Sequence, residues 1–307
     1  MIVDCYTHTW SSVQQLGRCV PDSRRHTPPT SDFADPARTG AARHFAAAEP
    51  VDTTIVLGFK SHYLGAEIPN DEVAALVARH PDRLIGFAGL DPSDPDEATS
   101  ELARAIEELS MRGVAITPAA QDFHPTDSRA MRVYGEIAAR GLPVLFHTGV
   151  HVTAATKLDY ARPFLLDEVA RELPDLKIIV AHMGHPWVEE TIVLLAKHPN
   201  VFAEISWLLG QPWQAYQALL SAYHHGVTDK LLFGSGFPQD SASHCIEELY
   251  GICHLVHGTN LPTIPREQLR GVVERDALTL LGIQRSGPRQ AAPPASAPDL
   301  EPEDAEV

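Results

Sequence analysis

PVLFHTG at residues 143–149 and LKIIVAHMG at residues 176–184 are short, almost wholly apolar, and each closes with a histidine two residues before a glycine. Alternating polar residues are missing from both, as expected of strands buried on two faces of a parallel sheet. Working outward, six more segments share this character: Ile2–Tyr6, Thr53–Phe59, Leu84–Leu90, Gly113–Pro118, Val201–Trp207 and Leu231–Phe237. With Pro143–Gly149 and Lys177–Gly184 they make eight. Between them lie stretches with helical spacing of apolar residues: 71–80, 95–112, 129–140, 162–174, 186–198, 212–225 and 243–257. Several begin with Pro, Asp or Ser, ordinary helix-start residues.

Strands joined by helical crossovers run parallel, and eight of them close into a (β/α)₈ barrel of the TIM type. A doubly wound open sheet is the alternative, but no Gly-rich phosphate loop follows the first strand. The barrel is expected to span residues 1–282, with the helical stretch Pro265–Gly282 closing its bottom or side. Residues 10–50 form a long excursion after the first strand, carrying Pro21, Pro28, Pro29 and Pro36, and are expected to act as a lid or pocket wall. Residues 283–307, rich in Pro, Ala and acid, lack the composition to bury a core and read as a disordered tail.

Composition narrows the function. The chain has 307 residues, a formal net charge of −16 and 21% charged residues. Such a balance argues against nucleic-acid binding, which runs on clustered Lys and Arg. No apolar run is long enough to span a bilayer, and MIVDCYTHTW does not read as a signal peptide, so a cytoplasmic protein is expected. The four cysteines contain no C-x-x-C pair and read as reduced thiols, with Cys5 expected to pack against a helix.

In a barrel, residues at the C-terminal strand ends face the active site. Those positions hold Asp4, Tyr6 and His8 on the first strand, Lys60 and His62 on the second, Asp91 on the third, and Thr117 with Gln121 on the fourth. They continue with His147, His182, then Glu204, Ser206 and Trp207, and finally Ser235 and Gly236. One strand-end histidine is usually structural. Three at matching ends point to a site, because imidazole binds divalent metals and shuttles protons near neutral pH.

VDCYTH at the start, HPDRLIGFAGLDP, GLPVLFHTG, LPDLKIIVAHMGHPWVEE, LLFGSGFP and IPREQLRGVVERDALTLLGI together resemble the amidohydrolase superfamily. The resemblance is to amidohydrolase family 2, the aminocarboxymuconate-semialdehyde decarboxylase-like branch, over residues 2–282. It implies a metal-assisted hydrolase or decarboxylase, often a dimer, that binds one metal such as zinc. Position by position, the family's D-x-H-x-H motif falls on Asp4, Tyr6 and His8, so a tyrosine stands where a metal histidine is usual. The strand-five metal histidine falls on His147 and the strand-six catalytic histidine on His182. The strand-eight aspartate falls on Gly236, which has no side chain to offer.

A catalytic zinc needs three protein ligands and an open position. His8 and His147 alone would hold it weakly, and Glu204, Tyr6 or a loop histidine is the candidate third ligand. Without a metal, His147 and His182 are the candidate acid and base, and Tyr6 a hydrogen-bond donor to a carboxylate or oxyanion. Lys60, with Arg18, Arg24 and Arg25 of the excursion, is a candidate anion-holding group. His62, Asp91 and Trp207 complete the expected substrate contacts, and Trp10, Trp187 and Trp213 are further candidates for an aromatic wall. The expected function is hydrolysis or decarboxylation of a small carboxylated or cyclic substrate. The alternative is a catalytically silent barrel that binds a small ligand or a partner.

Overall fold

A computed structural model describes residues 1–19, 39–149 and 154–284. The excursion residues 20–38, with Arg24 and Arg25, and the expected tail from residue 285 onward lie outside the described residues. Among the described residues ten strands run in chain order: β1 Val3–Thr7, β2 Thr53–Leu57, β3 Phe59–Ser61, β4 Ala66–Ile68, β5 Leu84–Gly89, β6 Gly113–Ile116, β7 Val144–Phe146, β8 Ile178–Val180, β9 Val201–Glu204 and β10 Leu231–Leu232. Eight form one parallel sheet in the order β1-β2-β5-β6-β7-β8-β9-β10. Three backbone hydrogen bonds join its ends: Cys5 N–H to the Phe233 carbonyl at 2.9 Å, Gly236 N–H to Tyr6 at 3.0 Å and His8 N–H to Phe237 at 2.9 Å. The sheet therefore closes as the expected barrel rather than an open doubly wound sheet.

Alternation along the strands separates two apolar layers. Ile55, Leu57, Phe87, Leu145, Ile179, Phe202 and Leu232 form an interior cluster with Ala277, Leu278 and Leu281. Val56, Val114, Val144, Ile178 and Val201 pack in the outer cluster with Leu102, Val133, Leu195 and Leu219 from the helices. Each such buried Leu, Ile or Val gains about 1.5–3 kcal/mol over exposure, so the double burial that shaped the sequence also holds the barrel.

On the first strand Cys5 belongs to the interior cluster together with Val3, Tyr6 and the closing-helix residues Ala277, Leu278 and Leu281, so it does not alternate away from Tyr6. Pairing of β1 with β2 runs Asp4↔Thr54 and then Thr7↔Val56, so an extra residue is inserted between them. That bulge resets the alternation and brings Tyr6 inward after Cys5.

Most expected strands run on past their observed ends. The expected 177–184 strand stops at Val180, and Ala181–Gly184 makes a tight turn with His182 and Met183 at φ 54° and 48°. Likewise the 95–112 helix stops at Glu107, where Ser110 takes φ 57° and Met111 N–H returns to Ala105. The expected 265–282 helix is two, Arg266–Glu274 and Ala277–Leu281, the second capped by Asp276 and closing the barrel bottom. The β3–β4 hairpin was not foreseen. It meets the start of the excursion, where Arg18 N–H bonds the Leu64 carbonyl at 2.9 Å. Gly17 is needed at that contact, because a Cβ there would lie 2.3 Å from the Gly65 carbonyl oxygen.

Candidate active site

The mouth of the barrel holds a cleft of about 810 Å³, counting its open face. Tyr6, His8, His147 and Gly236 line its floor, and Trp10, Phe59, Trp207 and Phe237 supply aromatic walls. Leu16 and Cys19 of the excursion also line it, so the start of that segment is a pocket wall.

Tyr6 is the hub. Its hydroxyl lies 2.8 Å from Nδ1 of His147 and 3.3 Å from Nε2 of His8. Nδ1 of His8 faces the Leu57 carbonyl at 3.0 Å, so this nitrogen carries the proton and Nε2 is left as an acceptor. Burial holds His8 neutral, its pKa lowered to about 4. One proton arrangement then satisfies both contacts of the phenol: Tyr6 O–H donates to His8, and His147 Nδ1–H donates to the phenol oxygen. Burial, reinforced by the charge of Glu204, pushes the Tyr6 pKa well up, and the phenol stays protonated.

His182 lies beneath this layer, 3% exposed, and is not among the cleft-lining residues. Its ring centroid is 4.6 Å from that of Tyr6, 4.8 Å from that of His147 and 5.4 Å from that of Trp207. The buried Glu204 fixes it from below. Glu204 Oε1 accepts His182 N–H at 2.6 Å and lies 3.2 Å from Nδ1, while Oε2 accepts Ser206 N–H at 2.7 Å. Those backbone bonds explain how His182 and Met183 tolerate left-handed φ, since charged acceptors offset that strain. Asp4 performs the matching task across the floor, accepting N–H from Tyr6 at 3.2 Å and Ser235 at 2.9 Å. Burial raises its pKa to about 7.

Several expected substrate contacts lie elsewhere. Lys60 is on β3, its ammonium 2.5 Å from Glu97, and it does not line the cleft. His62 also faces Glu97, at 2.8 Å, and is exposed. Asp91 is consumed as a turn cap, accepting N–H from His62 and Ser93. The reason is common to all three: the chain leaves the barrel at the β3–β4 hairpin, so residues after β2 and β5 are held against one another outside the mouth. Gln121 clasps the same region, bonding the carbonyls of Lys60 and Leu90, both at 2.6 Å. Arg18 is spent on the Tyr63 carbonyl. Of the tryptophans, Trp10 and Trp207 line the cleft, whereas Trp213 is half exposed against Tyr216. Phe59, Leu64, Ile68 and Gln239 are lining residues that sequence reading passed over; the first three look like ordinary core residues, and Gln239 lies in a loop beyond the last strand end.

A divalent metal does not fit the described residues. His8 and His147 offer two nitrogens, but a protonated phenol stands between them and Gly236 adds nothing. Glu204, the candidate third ligand, has both oxygens committed to backbone N–H groups. No group of three His, Cys, Asp or Glu side chains with metal-binding geometry occurs among the described residues. The four cysteines are free, and no described helix is long and apolar enough to cross a membrane.

Comparison with known proteins agrees with this architecture. Gamma-resorcylate decarboxylase of Polaromonas sp. (strain JS666) is 25% identical over 222 residues, 58% of this chain and 67% of that protein. The 2-amino-3-carboxymuconate-6-semialdehyde decarboxylase of Dictyostelium discoideum is 26% identical over 134 residues, 39% of this chain and 37% of that protein. The chain thus spans about two thirds of the length of the gamma-resorcylate decarboxylases it matches. The solved dihydroxybenzoic acid decarboxylase of Polaromonas sp. JS666, with bound manganese and the inhibitor 2-nitroresorcinol, shares the fold. It superimposes with a TM-score of 0.64 at 17% identity, over 92% of this chain and 96% of that one. The Amidohydrolase family profile matches residues 3–283, from the first strand to the helix that closes the barrel, and the chain belongs to that family.

Proposed function

We propose that the chain is a carboxy-lyase that removes carbon dioxide from a small, flat, carboxylated ring by proton transfer from the Tyr6–His147 pair. The observation that carries the reading is the Tyr6 hydroxyl, held at the cleft floor between His147 and His8 at 2.8 and 3.3 Å. When a substrate carboxylate or oxyanion enters, the phenol O–H can turn to it from His8, and His147, taking up a solvent proton on Nε2, can deliver that proton to carbon. In the reaction, the C–C bond to the carboxylate breaks, its electron pair stays on the ring carbon, and a proton fills that position. His182, anchored by Glu204, backs the pair from below and steadies the ring stack.

The aromatic walls suit a planar ring, since offset or edge-on stacking adds to simple burial. The decarboxylases among the relatives support the same choice of reaction over hydrolysis. The reading places the catalytic unit at residues 1–282, working in the cytoplasm, where four free thiols persist.

The test is carbon dioxide release from hydroxybenzoates and related cyclic carboxylates by chelator-treated protein, repeated with Tyr6→Phe and His147→Ala. Turnover that both substitutions abolish supports the proposal. Tight ligand binding by calorimetry with no turnover in any condition would leave a silent ligand-binding barrel instead.

A further inference from the structure

We infer that Trp207 closes this site to divalent metals, because its indole takes the volume that a side chain at position 236 would need to complete a ligand set. Gly236 adopts φ +75°, and a Cβ built on it would lie 2.7 Å from Cδ1 of Trp207, 3.1 Å from Nε1 and 3.3 Å from Cβ of Ser206. Real Cβ atoms do not come as close as the 2.7 Å contact with Cδ1, and the two nearest obstructing atoms belong to the rigid indole rather than to a flexible tip. The φ of +75° strains any side chain at 236, aspartate less than most, and the clash with Trp207 adds to that strain.

Trp207 is itself unusual. It has φ +69°, a conformation that costs a bulky residue strain unless its surroundings impose it. Its ring lies at 38° to that of His182 and forms part of the cleft wall. Three residues therefore act together. Tyr6 fills the gap between His8 and His147, Gly236 leaves room for the indole, and Trp207 occupies that room. Restoring the missing ligands one at a time does not reopen the site, whatever substrate the cleft takes.

The experiment is a cobalt(II) titration read by its visible ligand-field bands, with metal content measured by elemental analysis. Wild-type protein and Tyr6→His/Gly236→Asp, which keeps Trp207, are expected to hold no stoichiometric cobalt. Adding Trp207→Gly is expected to give about one ion per chain, bound at least about 100-fold more tightly than by wild type. One cobalt per wild-type chain overturns the inference, as does equal affinity with and without Trp207. Circular dichroism checks the fold of each variant. A metal-free measurement asks the same steric question: Gly236→Ala lowers the unfolding midpoint, and Gly236→Ala/Trp207→Gly recovers part of the loss relative to Trp207→Gly alone. No coupling between the two positions also overturns the inference. Neither readout depends on turnover, so failure here is separable from failure of the proposed reaction.

Discussion

The hydroxyl of Tyr6, on the first barrel strand, lies 2.8 Å from Nδ1 of His147, at the end of β7. The two residues are 141 positions apart, and they meet because a bulge in β1 turns Tyr6 into the barrel. That contact converts a place suited to a cation into a neutral hydrogen-bonded triad with His8.

Tyr6→Phe keeps the ring contacts and deletes the hydroxyl. Carbon dioxide release should fall about 10²–10⁴-fold, the range for losing a positioned proton donor. Unfolding free energy should fall by about 1–3 kcal/mol, because His8 and His147 lose the group between them. Rate assays and urea unfolding on the same preparation check both; full turnover in the variant would remove Tyr6 from the chemistry.

Glu204→Gln should be more damaging to the fold than its small change suggests. Both carboxylate oxygens accept backbone N–H groups, at 2.6 and 2.7 Å, and an amide nitrogen facing either one has nothing to accept with. A loss of about 3 kcal/mol is expected, combining a charged hydrogen bond with an unsatisfied buried donor. Hydrogen exchange should show faster opening at His182 and Ser206. Protection equal to wild type would mean that the left-handed turn holds without the charge.

His44 gives a pH signature. It is buried, faces Thr7 Oγ1 at 2.9 Å, and burial lowers its pKa from 6.5 to about 4. The folded state keeps it neutral while the unfolded state protonates it, so its contribution is complete above pH 6.5 and is lost as pH falls towards 4. Within that window the slope is up to about 1.4 kcal/mol per pH unit for one proton. Urea midpoints measured across this range should drop on acidification, and His44→Gln should flatten part of the drop. His8 and His185, whose pKa values burial lowers in the same direction, add to the drop, while buried Asp4, raised to about 7, opposes it. An unchanged slope in the variant would show that His44 does not titrate as its burial implies.

Lys60→Ala should leave ligand affinity at the cleft unaltered. The ammonium is held by Glu97 at 2.5 Å on the outside of the hairpin, and a partly exposed pair of this kind is worth about 1 kcal/mol or less. Calorimetric titration with a turned-over carboxylate decides it: a tenfold weaker complex would place Lys60 in contact with the substrate after all.

The succession of strands and helices needed no tertiary information, because short apolar runs and the 3.6-residue helical period are carried by residues close in the chain. The same holds for the strand-end histidines, while Tyr6 and Gly236 stand out only against the motifs of the family that the sequence resembles. Where the side chains point was decided only by folding. Cys5 and Tyr6 share the barrel interior because of one inserted residue in β1, and a register shift leaves no mark in local composition. Lys60, His62 and Asp91 turn from the cleft because the unforeseen hairpin pairs them with Glu97 and the turn at Ser93. Trp207 meets Gly236 through two left-handed residues on neighbouring strand ends, a contact that exists only when the barrel brings those ends together. Local sequence therefore set the barrel and its strand-end residues, while packing between distant strands put a phenol between His8 and His147 and an indole against Gly236.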